Sequence, residues 1–483
     1  MAHEFRSYTP DQVFLFPPSP QDWLPKDHLA YQVLDIVSEL DMGPFKASYS
    51  ADGRGAPAYS PVMMVTLLLY GWCRHVYSSR KVAALCVDDL GARVIAAGNE
   101  PDYRSINLFR LRHGAALKAL FKASVQLCQR AGMVSLVHVA IDGSKVEANA
   151  SKRKAMSYGR MVQEESRLQT EIDEFFRRAQ EEDAAEDALY GSDESGPKVP
   201  DELCRRKSRL AKIREAKAAL EAEAKAAVEA KQKERADKEA NSDKPLPGAK
   251  PDLDPTPKPT AQRSFTDPDS RIMKGADGAF LQAYNGQAAV DEDHQVIVGC
   301  VLTQDSNDKR QFVPLVEQTI ACTGAKPNVA MGDPGFFSAE NVTETEALGI
   351  TVLIPPDKQR HGTPDNPPPV LSAEELFALP VIERMRYAIS TREGRDAYRH
   401  RKSIVEPVFG QAKGSAGNPG FIGFLRRGLT KCTEEWHWLC TRHNLMKYIR
   451  YRIAQQAPPK PPRTTKTTSR RPGCASLTIP MAI

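Results

Sequence analysis

Three acidic residues stand apart from the other carboxylates of the chain by their surroundings. Asp142 follows the apolar, β-branched run ValSerLeuValHisValAlaIle at 134–141, and Asp333 follows the shorter apolar run Asn328–Met331. Glu406 sits among basic and aromatic residues, from Tyr398, Arg399, Arg401 and Lys402 to Phe409 and Lys413. A carboxylate that ends a core strand is badly placed for packing and well placed to face a cleft. Several converging carboxylates cannot all stay ionised without cations, and all-oxygen donor sets favour hard ions, Mg²⁺ or Mn²⁺. Two such ions, about 3.5–4 Å apart, activate an attacking hydroxyl and steady a leaving oxygen in phosphoryl transfer. On spacing alone this triple is one of many, because the chain holds 61 acidic residues.

The elements that must position these residues follow from periodicity and breakers. His28–Asp41 places Leu29, Val33, Ile36, Val37 and Leu40 on one stripe of an amphipathic helix. Pro61 opens a second, more apolar helix running to His75. Ser78–His113 reads as three short helices broken near Asp88–Leu90 and at 98–102, the last carrying Arg104, Arg110, Arg112 and His113. Two readings of this segment stand level: a helix-turn-helix that sets a basic helix into a DNA groove, and a plain bundle with a solvated basic face. Residues 134–141 read as a buried strand that ends by delivering Asp142. Residues 160–240, rich in Ala, Glu, Lys and Arg, read as a helical hairpin divided at 191–200, and a Pro/Lys-rich linker runs from Lys244 to Gln262. Residues 264–356 then alternate strand and helix, which predicts one mixed sheet with helices packed on it. Residues 355–380 are loop-rich, 381–451 helical, and the tail is basic and disordered in composition.

The bulk numbers set bounds. A net charge of +5 over 483 residues permits nucleic-acid binding without demanding it, and no acidic residue follows Arg452. Nine scattered cysteines without a CxxC pair suit a reducing cytosol. Cys432, His437, Cys440 and His443 fall close enough to suggest zinc, but an apolar helix holding Trp436, Trp438 and Leu439 favours buried thiols and packed histidines. No charged segment with an apolar core opens the chain, and the longest apolar run, Val62–Tyr70, is about half a membrane span. A cytoplasmic protein is expected.

Several blocks, in order, carry a resemblance. IleAspGlySerLysValGluAlaAsnAlaSer (141–151), AspProAspSerArgIleMetLys (267–274), GlnAlaTyrAsnGlyGlnAlaAlaVal (282–290), GlyAspProGlyPhePheSerAlaGluAsn (332–341) and ValGluProValPheGlyGlnAlaLys (405–413) resemble the blocks of insertion-sequence DDE transposases. The similar group has a helical N-terminal transposase domain and a coiled insertion after the first aspartate. PheLeuPheProPro (14–18), AspTrpLeuProLysAspHisLeuAla (22–30) and residues 59–71 match its N-terminal part. The resemblance runs from about Asp11 to Tyr451.

It implies a ribonuclease-H-like, mixed-sheet α+β catalytic core spanning 131–451. That core is interrupted at 160–262 by the hairpin and linker, preceded by a helical DNA-binding and assembly domain at 1–130, and followed by the tail at 452–483. Asp142, Asp333 and Glu406 then become the metal ligands for two Mg²⁺ or Mn²⁺ ions. Tyr398, Arg401 and Lys413 become candidates for gripping DNA near the cut, with Arg401 and Lys402 interchangeable. The implied reaction is cleavage at the element's ends, followed by attack of the freed 3′-hydroxyl on target DNA. The implied partners are double-stranded DNA, with terminal inverted repeats and target, and a second copy of the chain or more. Localisation is expected to be cytoplasmic, with the nucleoid of a bacterium. Phosphate contacts are expected from Arg104, Arg110 and Arg112, and from Arg426, Arg427 and Lys431. Trp436 and Trp438 suit base stacking or, with more weight, core packing. Two departures concern the ligands: Pro407 biases Glu406 toward a helix start or kink, and Pro334 stiffens the loop after Asp333. Rival readings are a metal-dependent nuclease of the same fold, a repurposed non-catalytic DNA-binding protein, and a coiled-coil protein; the last leaves the strand–helix region unexplained.

Overall fold

The computed structural model describes residues 19–49, 58–151, 154–190, 201–240, 254–275, 278–357, 369–415, 418–419 and 421–456. Of the expected tail at 452–483, residues 452–456 belong to the last helix instead; the rest, and the apolar block at 14–18, lie outside the described residues.

Eight helices come first: α1 (Pro20–Trp23), α2 (Leu29–Ser38), α3 (Gly43–Lys46), α4 (Pro61–Cys73), α5 (Ser79–Asp88), α6 (Leu90–Ile95), α7 (Tyr103–Arg112) and α8 (Gly114–Arg130). The expected stripe on α2 buries Ala30, Val33, Ile36 and Val37, while α4 is buried almost all round from Met64 to Cys73. The two breaks are made by caps. Asp89 accepts from the Ala92 N–H at 2.8 Å, and Asp102 from the Arg104 and Ser105 N–H groups at 2.6 and 2.9 Å.

The main sheet begins with β1 (His138–Glu147). A small strand β2 (Ala155–Ser157) leads into the long helices α9 (Tyr158–Tyr190) and α10 (Asp201–Ala240), and β3 (Gln262–Ser264) returns to pair with β2. The hairpin has its own apolar seam, with Met161, Leu168 and Ile172 packed on Leu203, Leu210 and Ile213. Then follow β4 (Arg271–Lys274), β5 (Phe280–Asp291), β6 (Ile297–Thr303), α11 (Phe312–Thr323), β7 (Val329–Met331), α12 (Ala339–Ala347) and β8 (Thr351–Leu353). The chain closes with α13 (Ala373–Ala378), α14 (Val381–Ser390), α15 (Arg392–Lys413) and α16 (Leu429–Gln456).

In the sheet β5 pairs β1, β1 pairs β7 and β7 pairs β8, with β4 and β6 sharing the other edge of β5. Pairing through β5 is antiparallel, and β1, β7 and β8 are mutually parallel. This mixed sheet, with helices on its faces and the helical N-terminal region beside it, is the ribonuclease-H-like α+β arrangement.

The first strand differs from expectation in both ends. It starts at His138 because the Ser135 and Leu136 N–H groups turn aside to the buried Asp291 carboxylate, at 3.2 and 2.8 Å, with Leu136 at φ 57°. It runs on to Glu147 because β5 keeps pairing with it, from Asp142↔Ala288 to Glu147↔Ala283. Asp142 therefore lies within β1, at the level where the neighbouring strand β7 has already stopped.

Helix α16 lies between β6 and α8. The Trp436 ring covers Gly286, where a Cβ would come within 2.9 Å of it, and its Nε1 donates to the Gln287 carbonyl at 3.2 Å. Trp438 stacks on Trp72 with centroids 4.8 Å apart. Both indoles are core, not base-stacking platforms. His437 and His443 bond the carbonyls of Thr433 and Gln295, at 2.8 Å each, and the Cys432 thiol faces the Arg426 carbonyl. Burial holds both imidazoles down at about 4.

Candidate active site

Register sets the centre of the site. The last paired residues of β1 and β7 are Ala140 and Met331, and Asp142 and Asp333 each lie two residues beyond them. Adjacent strands run about 4.7–4.9 Å apart, and residues two apart face the same side. The two carboxylates therefore stand side by side where β7 ends. Val139, Ala140 and Ile141 are buried and fix β1 in place. Gly332 admits the Phe312 ring, which a Cβ would approach to 3.1 Å.

Each aspartate has a local partner. Asp142 Oδ1 accepts from the Gly143 N–H at 2.8 Å. Asp333 Oδ1 accepts from the Gly335 N–H at 2.9 Å and caps a short 3₁₀ turn, Pro334–Phe336. Pro334 thus pre-sets this turn and leaves the carboxylate in place. Arg401 reaches from α15 and puts Nη1 3.4 Å from Asp142 Oδ2. Burial pushes the Asp142 carboxyl above its ordinary range; Arg401 and the Gly143 N–H pull it back, and the charge of Asp333 pushes it up again. Tyr398, one turn before Arg401, has its ring 5.7 Å from that guanidinium, and burial raises its phenol, with Asp333 and Asp142 adding to the rise.

The helix divides the remaining candidates. Its inward face is Arg401, Ile404, Val405, Val408 and Ala412, all buried. Lys402 and Glu406 are exposed. Of the two residues that the sequence left interchangeable, Arg401 is the one beside the aspartates. Among the described residues, no three of the His, Cys, Asp and Glu side chains are grouped closely enough to hold a metal ion, so Glu406 stands apart from the aspartate pair. The Lys413 side chain lies outside the described residues.

Pro407 does not break α15. It cannot donate to the Ser403 carbonyl four residues back, and that carbonyl instead accepts from Gln295 Nε2 at 2.9 Å. Glu406 is therefore not a helix start: it lies inside a continuous helix whose orphan acceptor is supplied from outside.

The sequence reading missed a polar cluster on the other face of the sheet. Asp308 accepts from Lys145 Nζ, Asn285 Nδ2 and Gln287 Nε2 at 3.0, 2.5 and 2.6 Å. Asn285 and Gln287 are fully buried, and Gln287 lies over Gly143. The signal was present as amides inside an otherwise apolar strand.

The proposed phosphate contacts also separate. Arg104 is exposed beside Tyr103, and Arg112 lies over the Tyr49 ring at 5.4 Å. Arg110 is buried instead: it donates to the Tyr77 carbonyl and Ser79 Oγ, faces Glu435 at 3.9 Å and covers Trp438 at 4.6 Å. Its guanidinium belongs to the join between α7 and α16, not to the surface. Arg426 pairs with Glu434 at 2.5 Å, Arg427 bonds the Asn149 carbonyl at 2.9 Å while staying exposed, and Lys431 is exposed.

Two family models match the chain. One is described as a transposase domain and covers residues 18–112; the other is described as a transposase DDE domain and covers residues 252–418. The chain belongs to the insertion-sequence DDE transposases. The transposase DDE match takes in Asp333 and Glu406 and begins after Asp142 and the α9–α10 hairpin. No curated protein and no solved structure matches. No helix among the described residues of this transposase is long and apolar enough to cross a membrane.

Proposed function

We propose that the chain cuts DNA at the ends of its insertion sequence and joins the freed 3′-hydroxyl to target DNA, using Asp142, Asp333 and Glu406. The observation that carries this is the in-register pair of aspartates beside a buried arginine. Two carboxylates side by side, one of them raised by burial and by the other's charge, form an oxygen donor set that calls for a cation. That donor set fits Mg²⁺ or Mn²⁺, held by Asp142 and Asp333, with Glu406 as the third ligand proposed from sequence. When bound, two such ions would activate the attacking hydroxyl and stabilise the leaving oxygen.

The chain's own groups have separable tasks. Arg401, buried beside Asp142, orients that carboxylate and balances the pair. Tyr398 and Arg401 present a phenol and a guanidinium to a phosphate at the same place. Exposed Arg104, Arg112, Arg427 and Lys402 supply duplex contacts, and pairing two DNA ends calls for a homodimer or larger assembly.

The test is cleavage and strand transfer on DNA carrying the element's ends, with Mg²⁺ or Mn²⁺. Cutting and joining by the native chain, with binding but no chemistry in Asp142→Asn and Asp333→Asn, supports the reading. Cutting without joining makes the chain a nuclease. Binding without cutting under either metal makes it a repurposed DNA-binding protein.

A further inference from the structure

The α9–α10 hairpin carries a basic groove at its root. The groove has a volume of about 880 Å³ and is bordered by Lys154, Arg160, Arg205, Arg209 and Lys212, against one acidic residue, Asp201. Its floor is apolar, from Met156, Ile213 and Phe265. Arg205, Arg209 and Lys212 stand at i, i+4 and i+7 on α10, one stripe about 10 Å long, flanking the face that packs on α9 through Ile213.

Three carboxylates of α9 are already paired, and one of them, Glu164, reaches the groove at Arg209. Glu165 holds Arg214 and Lys217 at 2.9 Å each, Glu171 holds Arg206 at 3.2 Å, and Glu164 holds Arg167 and Arg209 at 2.7 and 2.9 Å. Lys154, Arg160, Arg205 and Lys212 are exposed and form no ion pair among the described residues. Four like charges around one groove repel one another unless an anion enters.

The root of the hairpin is also tied to the sheet. The Phe265 N–H donates to the Lys154 carbonyl at 2.9 Å and the Ser151 N–H to Thr266 Oγ1 at 3.0 Å. Next in the chain, buried Asp267 accepts from the Tyr284 hydroxyl of β5 at 2.9 Å and from the Gly428 N–H at 3.1 Å. Lys154 follows Asp142 by only twelve residues, so the groove and the aspartates are joined by a short stretch of chain that can span no more than about 40 Å.

We propose that this groove grips the phosphate backbone of the duplex DNA whose end is held at Asp142 and Asp333, making the hairpin a DNA clamp. The proposal rests on the transposase reading given above. It selects DNA over a second protein copy because the rim is almost wholly cationic: five basic residues face one acidic residue of the lining, Asp201, with Glu164 beside Arg209 and Arg160.

The test uses the full chain with Arg160→Gln, Arg205→Gln and Lys212→Gln combined. A control combines Lys225→Gln, Lys231→Gln and Lys233→Gln, exposed on α10 outside the groove. Binding of a duplex of about three turns is measured against salt. The groove variant should lower the slope of log K against log salt by about 2–3, since each lost phosphate contact removes about 0.9. The control should lower it far less. Both should cut at the native rate once the duplex is saturating at low salt, because neither set of substitutions touches the aspartate pair. An unchanged slope, or an equal fall in the control, overturns the clamp. A native slope with a changed oligomeric state overturns it in favour of a protein contact. Native protein that binds the duplex with this salt signature yet never cuts it sinks the transposase reading and leaves the groove standing.

Discussion

The strand side and the helix side of the candidate site are built by opposite means. Asp142 and Asp333 are placed by parallel register, which slips only in whole residues, and a slip of one would turn one of the two side chains to the other face. Tyr398, Arg401 and Glu406 are placed by how α15 packs, through one apolar face and a Gln295 bond to the carbonyl that Pro407 leaves free. A helix held in this way can turn or slide by small amounts. The strand side therefore forms a finished pair, while Glu406, on the exposed side of α15, is not grouped with it.

The largest test of that contrast is catalytic. Asp142→Asn and Asp333→Asn should each reduce cleavage to background while DNA binding persists, and Glu406→Gln should do the same if α15 delivers the third ligand on DNA. A Glu406→Gln enzyme that cuts at the native rate would remove the helix from the ligand set, and a fully active Asp333→Asn would break the strand pair.

Two glycines give the next contrast. Gly143→Ala drives a Cβ into the Gln287 amide beneath Asp142. It should lose about 1–3 kcal/mol in denaturant unfolding and slow cleavage with it. Gly410→Ala on α15 meets nothing within 4 Å and should gain about 0.5–1 kcal/mol. Equal losses at both would mean that α15 is as tightly seated as the sheet.

Gln295→Ala should lose roughly 0.5–1.5 kcal/mol by orphaning the Ser403 carbonyl. The loss should largely disappear when Pro407→Ala is added, because that substitution restores a backbone N–H to bond the carbonyl. Additive effects in that cycle would show that the Gln295 bond is not what carries α15 past Pro407.

The smallest effect is a pH dependence on the helix side. His443 bonds the Gln295 carbonyl and is held neutral, its pKa lowered from 6.5 to about 4 by burial. Its unfolded form takes up a proton first, so stability is present above pH 6.5 and lost as pH falls toward 4. A His443→Gln variant should lose stability less steeply across that window, as read by thermal melts.

Much of this was legible without coordinates. The stripe on α2, the capped breaks at Asp89 and Asp102, the hairpin at 160–240 and the alternation at 264–356 all follow from short-range periodicity and capping chemistry. The three carboxylates were legible as ordered blocks of a family. Arg110 was misplaced because α7 has two sides, and a basic residue in a short helix does not declare which side meets α16. Buried amides at Asn285 and Gln287 were passed over because their acceptor, Asp308, comes from a loop beyond β6.

By itself the sequence determined many of the local elements and the family, and it marked the acidic residues proposed as ligands, because these depend on neighbours along the chain. Only the tertiary structure decided that β1 runs past Asp142, that Asp142 and Asp333 stand level, and that Arg401 rather than Lys402 faces them. It alone placed the hairpin's unpaired cations around one groove. The reason is physical: strand register, the buried side of a helix and the partner of a charge are settled by contacts between segments far apart in the chain, where packing and desolvation outweigh local preference.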